Sequence, residues 1–174
     1  PVAVTIPLPD EQAVVDLVHK KLLRFTGGQG REVQADPCPG EIWEEIASLR
    51  EALLLAAAEA DEGLADVVLA GDEPEPAALW SALRRGALAG TLFPCFGGSA
   101  LRNLGVQPLL DGVVDLLPAP LDRPPSTAVR PDGSLEEVAM DAEGPMSALA
   151  FKVQMWDGRR HVFARVYRNR LRPG

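Results

Sequence analysis

The stretch TLFPCFGGSALRNLGVQPLLDGVVDLL, Thr91 to Leu117, decides the fold class. Its first six residues, Thr91 to Phe96, form a short apolar run suited to a buried parallel strand. A glycine loop follows. From about Val106 to Leu117, the residues Leu109, Leu110, Val113, Val114, Leu116 and Leu117 supply the apolar positions of a helix. Strand, glycine loop and helix in that order make an α/β unit. A Ser-Ala pair in such a loop is ordinary turn chemistry when read alone, and two-residue matches arise often by chance.

Working outward, Pro76 opens a helix, PAALWSALRRGALAG, with Leu79, Leu83 and Leu88 on its apolar face, Trp80 near the edge and Gly90 at its end. Before it, Ile42, Ile46, Leu49, Leu53 and Ala57 recur at three and four residues, the period of a helix with one buried face. Pro39 suits the start of that helix, Gly63 a bend or break, and Gly71 a C-terminal cap. The first residues change period. Val2–Leu8 alternates and reads as a strand, with Pro7 favouring an edge or the strand's end. Ala13–Val18, Lys21–Phe25 and Glu32–Ala35 fit three more strands around the turn TGGQG, although AVVDLVHKKLL also fits a helix. Downstream, PAPLDRPP (Pro118–Pro125) holds four prolines in eight residues and is the clearest boundary. RPDGS is a turn signal, and ALAFKVQMW, DGRR and HVFARVY read as a β-hairpin.

The chain has 174 residues, 47% hydrophobic and 24% charged, which is ordinary globular usage. No apolar run reaches the roughly 18 residues a membrane helix needs, and no signal peptide is visible. The first residue is Pro1, as expected of a processed chain or one cut from a longer protein. The net charge of −8 argues against a free-standing nucleic-acid binder. The charge is uneven: acids dominate from Glu41 to Glu75, while Arg159, Arg160, Arg165, Arg168, Arg170 and Arg172 make a basic end. Those arginines suit RNA contact or the protection of an edge strand equally.

Cys38 and Cys95 lack CxxC spacing, which argues against a zinc site and for reduced thiols, with Cys95 a buried small hydrophobe. His19 and His161 read as structural or surface residues. The tryptophans, Trp43, Trp80 and Trp156, are expected in core or interface packing. Glu44 and Glu45 are adjacent and point apart on a helix, so they make no acid/base pair, and no Ser-His-Asp or Cys-His arrangement stands out.

The wording LREALLLAAAEADEGLADVVLAGDE, then ALRRGALAGTLFPCFGGSALRNLGVQPLLDGVVDLLPAPLDRPP, then PMSALAFKV and FARVY resembles elongation factor G, the translational GTPase family that moves tRNA and mRNA through the ribosome. The resemblance spans nearly the whole chain and is strongest from Leu49 to Pro125. It implies an α/β fold in which residues 1–90 are the α+β insertion of a GTPase domain. Residues 91–118 would be that domain's last strand and helix, and 119–128 a proline-rich linker. Residues 129–174 would begin a β-barrel, its family wording starting at Pro145.

Ser99, Ala100 and Leu101 would be the loop that meets the guanine base. The acids Glu59, Asp61, Glu62 and Asp66 would lie on the face where the ribosomal stalk protein docks. GTP or GDP and magnesium would be cofactors of the parent protein, the ribosome (stalk protein and ribosomal RNA) its partner, and the cytoplasm its location, with no membrane or DNA partner. The family's GxxxxGK[ST], Asp-x-x-Gly and Asn-Lys-x-Asp motifs are absent here. Gly27–Gly30 does not replace the first, since no Lys-Ser/Thr follows. The chain alone is therefore expected to be inactive and to bind no nucleotide tightly. A non-catalytic ribosome-docking module, or a degenerate GTPase relative, is the alternative. Gly97 stands where the family usually has Cys, and Arg102 and Leu104 where it usually has Lys.

Overall fold

A computed structural model describes residues 1–28 and 30–173; Gln29, within the glycine turn, and the terminal Gly174 lie outside the described residues. The chain divides into two compact units, Pro1–Leu117 and Pro118–Gly174.

The first unit is built on a five-stranded sheet. Its strands are β1 (Val2–Leu8), β2 (Ala13–Asp16), β3 (Lys21–Thr26), β4 (Glu32–Pro37) and β5 (Pro94–Phe96), in the order β4-β3-β2-β1-β5. Neighbours are antiparallel except β1 and β5, which pair in parallel. The AVVDLVHKKLL segment thus resolves as strands. Residues 1–90 and 91–117 share this one sheet.

Helices α1 (Gly40–Ala58), α2 (Glu62–Leu69), α3 (Pro76–Ala89) and α4 (Val106–Leu116) complete the unit. The main core joins Val2, Val4, Ala13, Val15 and Leu22 of the sheet to Ile46 and Leu53 of α1, Leu64 of α2, Leu79 and Leu83 of α3, and Leu116 of α4. Val14 points the other way, into a second cluster with Leu23, Phe25 and Leu104. This is why AVV is a continuous apolar run: alternate residues of β2 meet covered surface on both faces.

Asp61 separates α1 from α2, its Oδ1 accepting from the Leu64 N–H at 2.9 Å as an N-cap. Helix α2 ends as the sequence implies. The Gly71 N–H reaches the Val68 carbonyl at 3.1 Å, and the Asp72 N–H reaches that of Val67, the Schellman pattern.

Several expectations fail for physical reasons. Strand β5 is three residues long and lies at the sheet's edge, so it is not the buried strand the apolar run implies, and Cys95 and Phe93 are exposed. Of the two places Pro7 favours, the structure shows the second, the strand's end. β1 is central, but β5 pairs with it only from Val2 to Thr5, so beyond Thr5 no bond to β5 is lost by a missing N–H. On α4 only Gly112 and Leu116 are buried, and Leu109, Leu110, Val113, Val114 and Leu117 are exposed. Trp156 is 67% exposed rather than packed.

On α1 the periodic Leu49 is exposed, while Arg50 beside it is only 4% exposed. Hydrogen bonds explain the exchange. Arg50 Nη1 donates to the Leu17 carbonyl at 2.7 Å, and Nη2 meets Glu73 at 2.7 Å. Lys20 Nζ reaches the other Glu73 oxygen at 2.6 Å. One guanidinium thereby ties α1 to the β2–β3 turn and to the α2–α3 connection.

The second unit has two separate hairpins, β6 (Ser126–Val129) with β7 (Leu135–Val138), and β8 (Ser147–Trp156) with β9 (Arg159–Arg168). The RPDGS and WDGRR turns fall between their strands as the sequence implies. Arg168, from the basic end, donates to the Glu137 carbonyl at 3.1 Å and pairs with Glu136 at 3.4 Å. The neighbouring Asn169 N–H reaches the Asp141 carbonyl at 2.6 Å. These bonds link the hairpins, which leaves Arg168 a structural residue rather than a free surface cation. Phe151, Val153, Met155 and Val162 of the long hairpin are exposed.

The Arg50 arrangement is testable. Arg50→Ala leaves the Leu17 carbonyl without its donor and Glu73 with Lys20 alone, and is expected to cost about 2 kcal/mol in urea unfolding. Burial of Glu73 pushes its carboxyl up, but the hydrogen bonds from Lys20 and Arg50 outweigh this and hold it below its ordinary value. A lowered folded value stabilises above the unfolded one and is lost as pH falls through the folded one. The stability gap between the native chain and Glu73→Gln is therefore expected to be flat near neutrality and to close as pH falls below about 4.3.

Candidate functional site

The loop from Gly97 to Gly105 is fixed at both ends. At the strand end the Gly97 N–H lies 3.2 Å from the Thr5 carbonyl and 3.0 Å from Thr5 Oγ1. A Cβ on Gly97 would lie 2.4 Å from Pro7 Cδ, so this position excludes any side chain unless β1 shifts. Within the loop, Ser99 and Leu104 bond each other in both directions, N to O at 2.8 and 2.9 Å. Between them Ala100–Arg102 makes one 3-10 turn, closed by Asn103 in the left-handed region at φ 52°.

Gly98 and Gly105 make the closure possible. A Cβ on Gly98 would stand 2.4 Å from the Leu104 carbonyl oxygen, and Gly105, at φ 75°, brings its backbone against Gly97. Leu104 is buried with Val14, Leu23 and Phe25, anchoring the loop on the sheet face opposite α1. The departures at positions 97 and 104 thus have local causes: Gly97 makes room for Pro7, and Leu104 fills an apolar cluster where a lysine would bury its charge.

The turn presents its start to solvent. Ala100 is exposed and Leu101 is 99% exposed. The N–H groups of Ala100 and Leu101 begin a 3-10 turn and so are not used within it. The structure brings Ser99, Ala100 and Leu101 together in one rigid turn. It also shows two residues the sequence reading missed. Asn103 Nδ2 and Gln107 Nε2 both donate to the Gly30 carbonyl, at 3.1 and 2.9 Å. The β3–β4 turn therefore holds the loop from the side. Asn103 had one signal, since Asn tolerates the left-handed region that ends such a turn; Gln107 had none.

Gly27–Gly30 stands between two antiparallel strands, where a phosphate loop stands between a strand and a helix. No group of three or more His, Cys, Asp or Glu side chains among the described residues is placed to hold a metal ion. Burial, and then the Glu11 carboxylate, push the Cys38 thiol above its ordinary value, which lowers its thiolate fraction at neutral pH.

No family model matches the chain. Curated relatives match it from end to end. It is 42% identical to "Elongation factor G 1" of Geobacter sulfurreducens and 40% identical to "Elongation factor G 2" of Geobacter metallireducens, each over 100% of this chain and 26% of the relative. "Elongation factor G 2" of Syntrophus aciditrophicus is 37% identical over the same shares. Along its whole length this chain is homologous to a segment of elongation factor G. It spans about a quarter of the length of those relatives. Among solved structures, that of ttk003000868 from Thermus thermophilus superposes with a TM-score of 0.71 at 30% identity, over 99% of this chain and 24% of that one. The mixed α/β architecture is common to both.

The acids expected on a partner face of this elongation factor G-like segment divide by role. Glu59, Glu62 and Asp66 are exposed. Asp61 caps α2 and forms an ion pair with Arg85, so it is spent on structure. Helix α2 lies against α3 across a groove lined in part by Leu64, Val67 and Ala78.

Two substitutions test the loop. Gly105→Ala is expected to destabilise the chain by about 2 kcal/mol, through the left-handed backbone and the crowding against Gly97. Gln107→Leu is expected to cost about 1 kcal/mol by removing one of the two donors to Gly30. In amide hydrogen exchange, Gln107→Leu should raise exchange at Arg102 to Leu104 above that of the core strands.

Proposed function

We propose that this chain is the part of a translational GTPase that meets the guanine base, and that its parent uses GTP and magnesium on the ribosome to drive translocation. The observation that carries this is the exposed, pinned turn at Ser99–Leu101. Two N–H groups with no acceptor among the described residues, at a turn closed by the Ser99–Leu104 bonds, suit guanine O6, an acceptor that adenine lacks. The homology supports the family, and the loop supplies the chemistry. The parent's phosphate-binding and magnesium-binding groups would lie outside these residues. On this reading residues 1–90 are the GTPase insertion, 91–118 the last strand and helix of that domain, 119–128 a linker, and 129–174 the start of a β-barrel. The exposed face of α4 and the outer edge of β5 are then where the rest of the GTPase sheet packs.

The ribosomal stalk protein would meet the α2 face at Glu59, Glu62 and Asp66, with Leu69 exposed at its end. Arg159, Arg160 and Arg165, exposed on the long hairpin, would meet ribosomal RNA. Such a parent would work in the cytoplasm.

The test is nucleotide binding with the parent-length protein. Ala100→Pro removes one N–H at a position whose backbone accepts proline, the first residue of a helical turn. GDP affinity should fall about tenfold or more, with the circular dichroism spectrum unchanged. Unchanged affinity would sink the base-loop assignment. The 174-residue chain alone should bind GTP no tighter than about millimolar, and tight magnesium-dependent binding by it would overturn the placement of the phosphate site elsewhere. A parent lacking a phosphate loop and an Asn-Lys-x-Asp motif would favour the non-catalytic docking module.

A further inference from the structure

A cavity of about 670 Å³ opens between the sheet, α3 and α4, wholly within the first unit and with none of Ser99–Leu101 in its lining. Its volume falls in the range of small-molecule sites, and its lining has their usual character, apolar and aromatic with a few polar groups. Val4 and Phe96 line it from the sheet, Trp80 from α3 and Val114 from α4. Trp80 and Phe96 meet edge to face, centroids 6.5 Å apart at 77°. The indole is held in place, since Trp80 Nε1 donates to Asp115 Oδ2 at 3.2 Å. His19 adds a third ring, 6.5 Å from Trp80.

Acids outnumber bases around these rings, where His19 pairs with Asp16 and the Arg84 guanidinium stands at the Asp115 carbonyl. Asp16, Glu75, Asp111 and Asp115 line the cavity, and no Lys or Arg is among the described lining residues. Asp16 is used by His19 Nδ1 at 2.7 Å and by the Val18 and His19 N–H groups. Asp115 holds Trp80. The carboxylates of Asp111 and Glu75 carry no hydrogen bond or ion pair among the described residues, the Glu75 carbonyl alone accepting from Ala78 and Leu79. A fixed indole beside unneutralised carboxylates attracts a cation twice, through the ring face and through charge. The apolar lining favours a ligand that also has a hydrocarbon body.

We propose that this cavity binds a small organic cation with an apolar body, of the arylalkylammonium class. The cavity has none of Ser99–Leu101 in its lining, but Asp111 and Val114 belong to α4, on whose exposed face the proposed function packs further sheet, so the ligand is expected of this chain with that face uncovered.

Phenethylammonium is the probe, titrated into the isotope-labelled chain while the Trp80 indole N–H resonance, assigned by its loss in Trp80→Phe, is followed. A saturable shift with a Kd of about 1 mM or tighter is expected. Phenethyl alcohol, the neutral counterpart, and hydrocinnamate, the anionic one, should bind at least about tenfold more weakly. Asp111→Asn, on an exposed helix surface, should weaken the ammonium about threefold or more without altering alcohol binding. Rising salt should weaken the ammonium in the unmodified chain, a readout that needs no variant. No saturable shift at about 20 mM ligand overturns the proposal. So does alcohol binding as tight as the ammonium, or ammonium binding indifferent to both salt and Asp111→Asn.

Discussion

The exchange between Thr5 and Gly97 holds the rest of the first unit in register. These residues are 92 positions apart, yet the Gly97 N–H reaches both the carbonyl and the hydroxyl of Thr5. This is the last link of the parallel pairing of β1 with β5. A parallel pair needs a long crossover, and here the crossover comprises β2, β3, β4 and three helices. Closing so long a loop is entropically costly, so the pairing must be secured by burial elsewhere. Val2, Val4 and Leu92 supply that burial against α1 and α3. Once Gly97 is placed, the loop has little freedom: Gly98 abuts Leu104, Leu104 enters its cluster, and Asn103 and Gln107 reach Gly30.

The acidic balance of the chain takes on a different meaning once partners are assigned. Asp61 caps a helix and binds Arg85, Glu73 gathers Lys20 and Arg50, Asp16 shapes the β2–β3 turn, and Glu136 pairs with Arg130 and Arg168. These acids are structural connectors between elements. Other acids have carboxylates with no bond among the described residues, among them Glu41, Glu44, Glu45 and Glu51 on α1, Glu62 and Asp66 on α2, and Glu75 and Asp111 beside Trp80. Net charge read from composition does not separate the two kinds, because the distinction depends on which basic side chain the fold brings within reach.

Much of the fold was legible. The strands from Val2 to Ala35, the Gly71 and Gly90 caps, α3, α4 and the hairpins all follow from period and turn chemistry, signals carried by neighbouring residues, whereas the break after α1 falls at the Asp61 cap rather than at Gly63, which lies inside α2. The failures are tertiary. Arg50 displaces Leu49 from the buried face because the carbonyls of the β2–β3 turn and Glu73 await a donor there. Helical period records apolar side chains, and a buried cation held by long-range bonds leaves no such mark. The candidate loop was legible as a glycine turn through the resemblance at Ser99–Leu101. Its supports, Leu104 and Gln107, were not, since their partners come from β2 and β3 and from the turn at Gly30.

The apolar run at Thr91–Phe96 and the periodic leucines of α4 show the same limit from the other side. Both patterns are those of buried elements, yet β5 has a neighbour on one side only and Val114 is 77% exposed. Hydrophobic pattern reports the surface an element is suited to cover, and that suitability exceeds what residues 1–117 supply. The edge of β5 and the outer face of α4 lie on either side of the pinned loop in sequence. On the proposed reading, a sheet continuing from β5 would place further strands directly beside Ser99–Leu101. The exposed turn would then become one wall of a crevice at the carboxyl end of parallel strands, the position at which open α/β sheets bind their ligands.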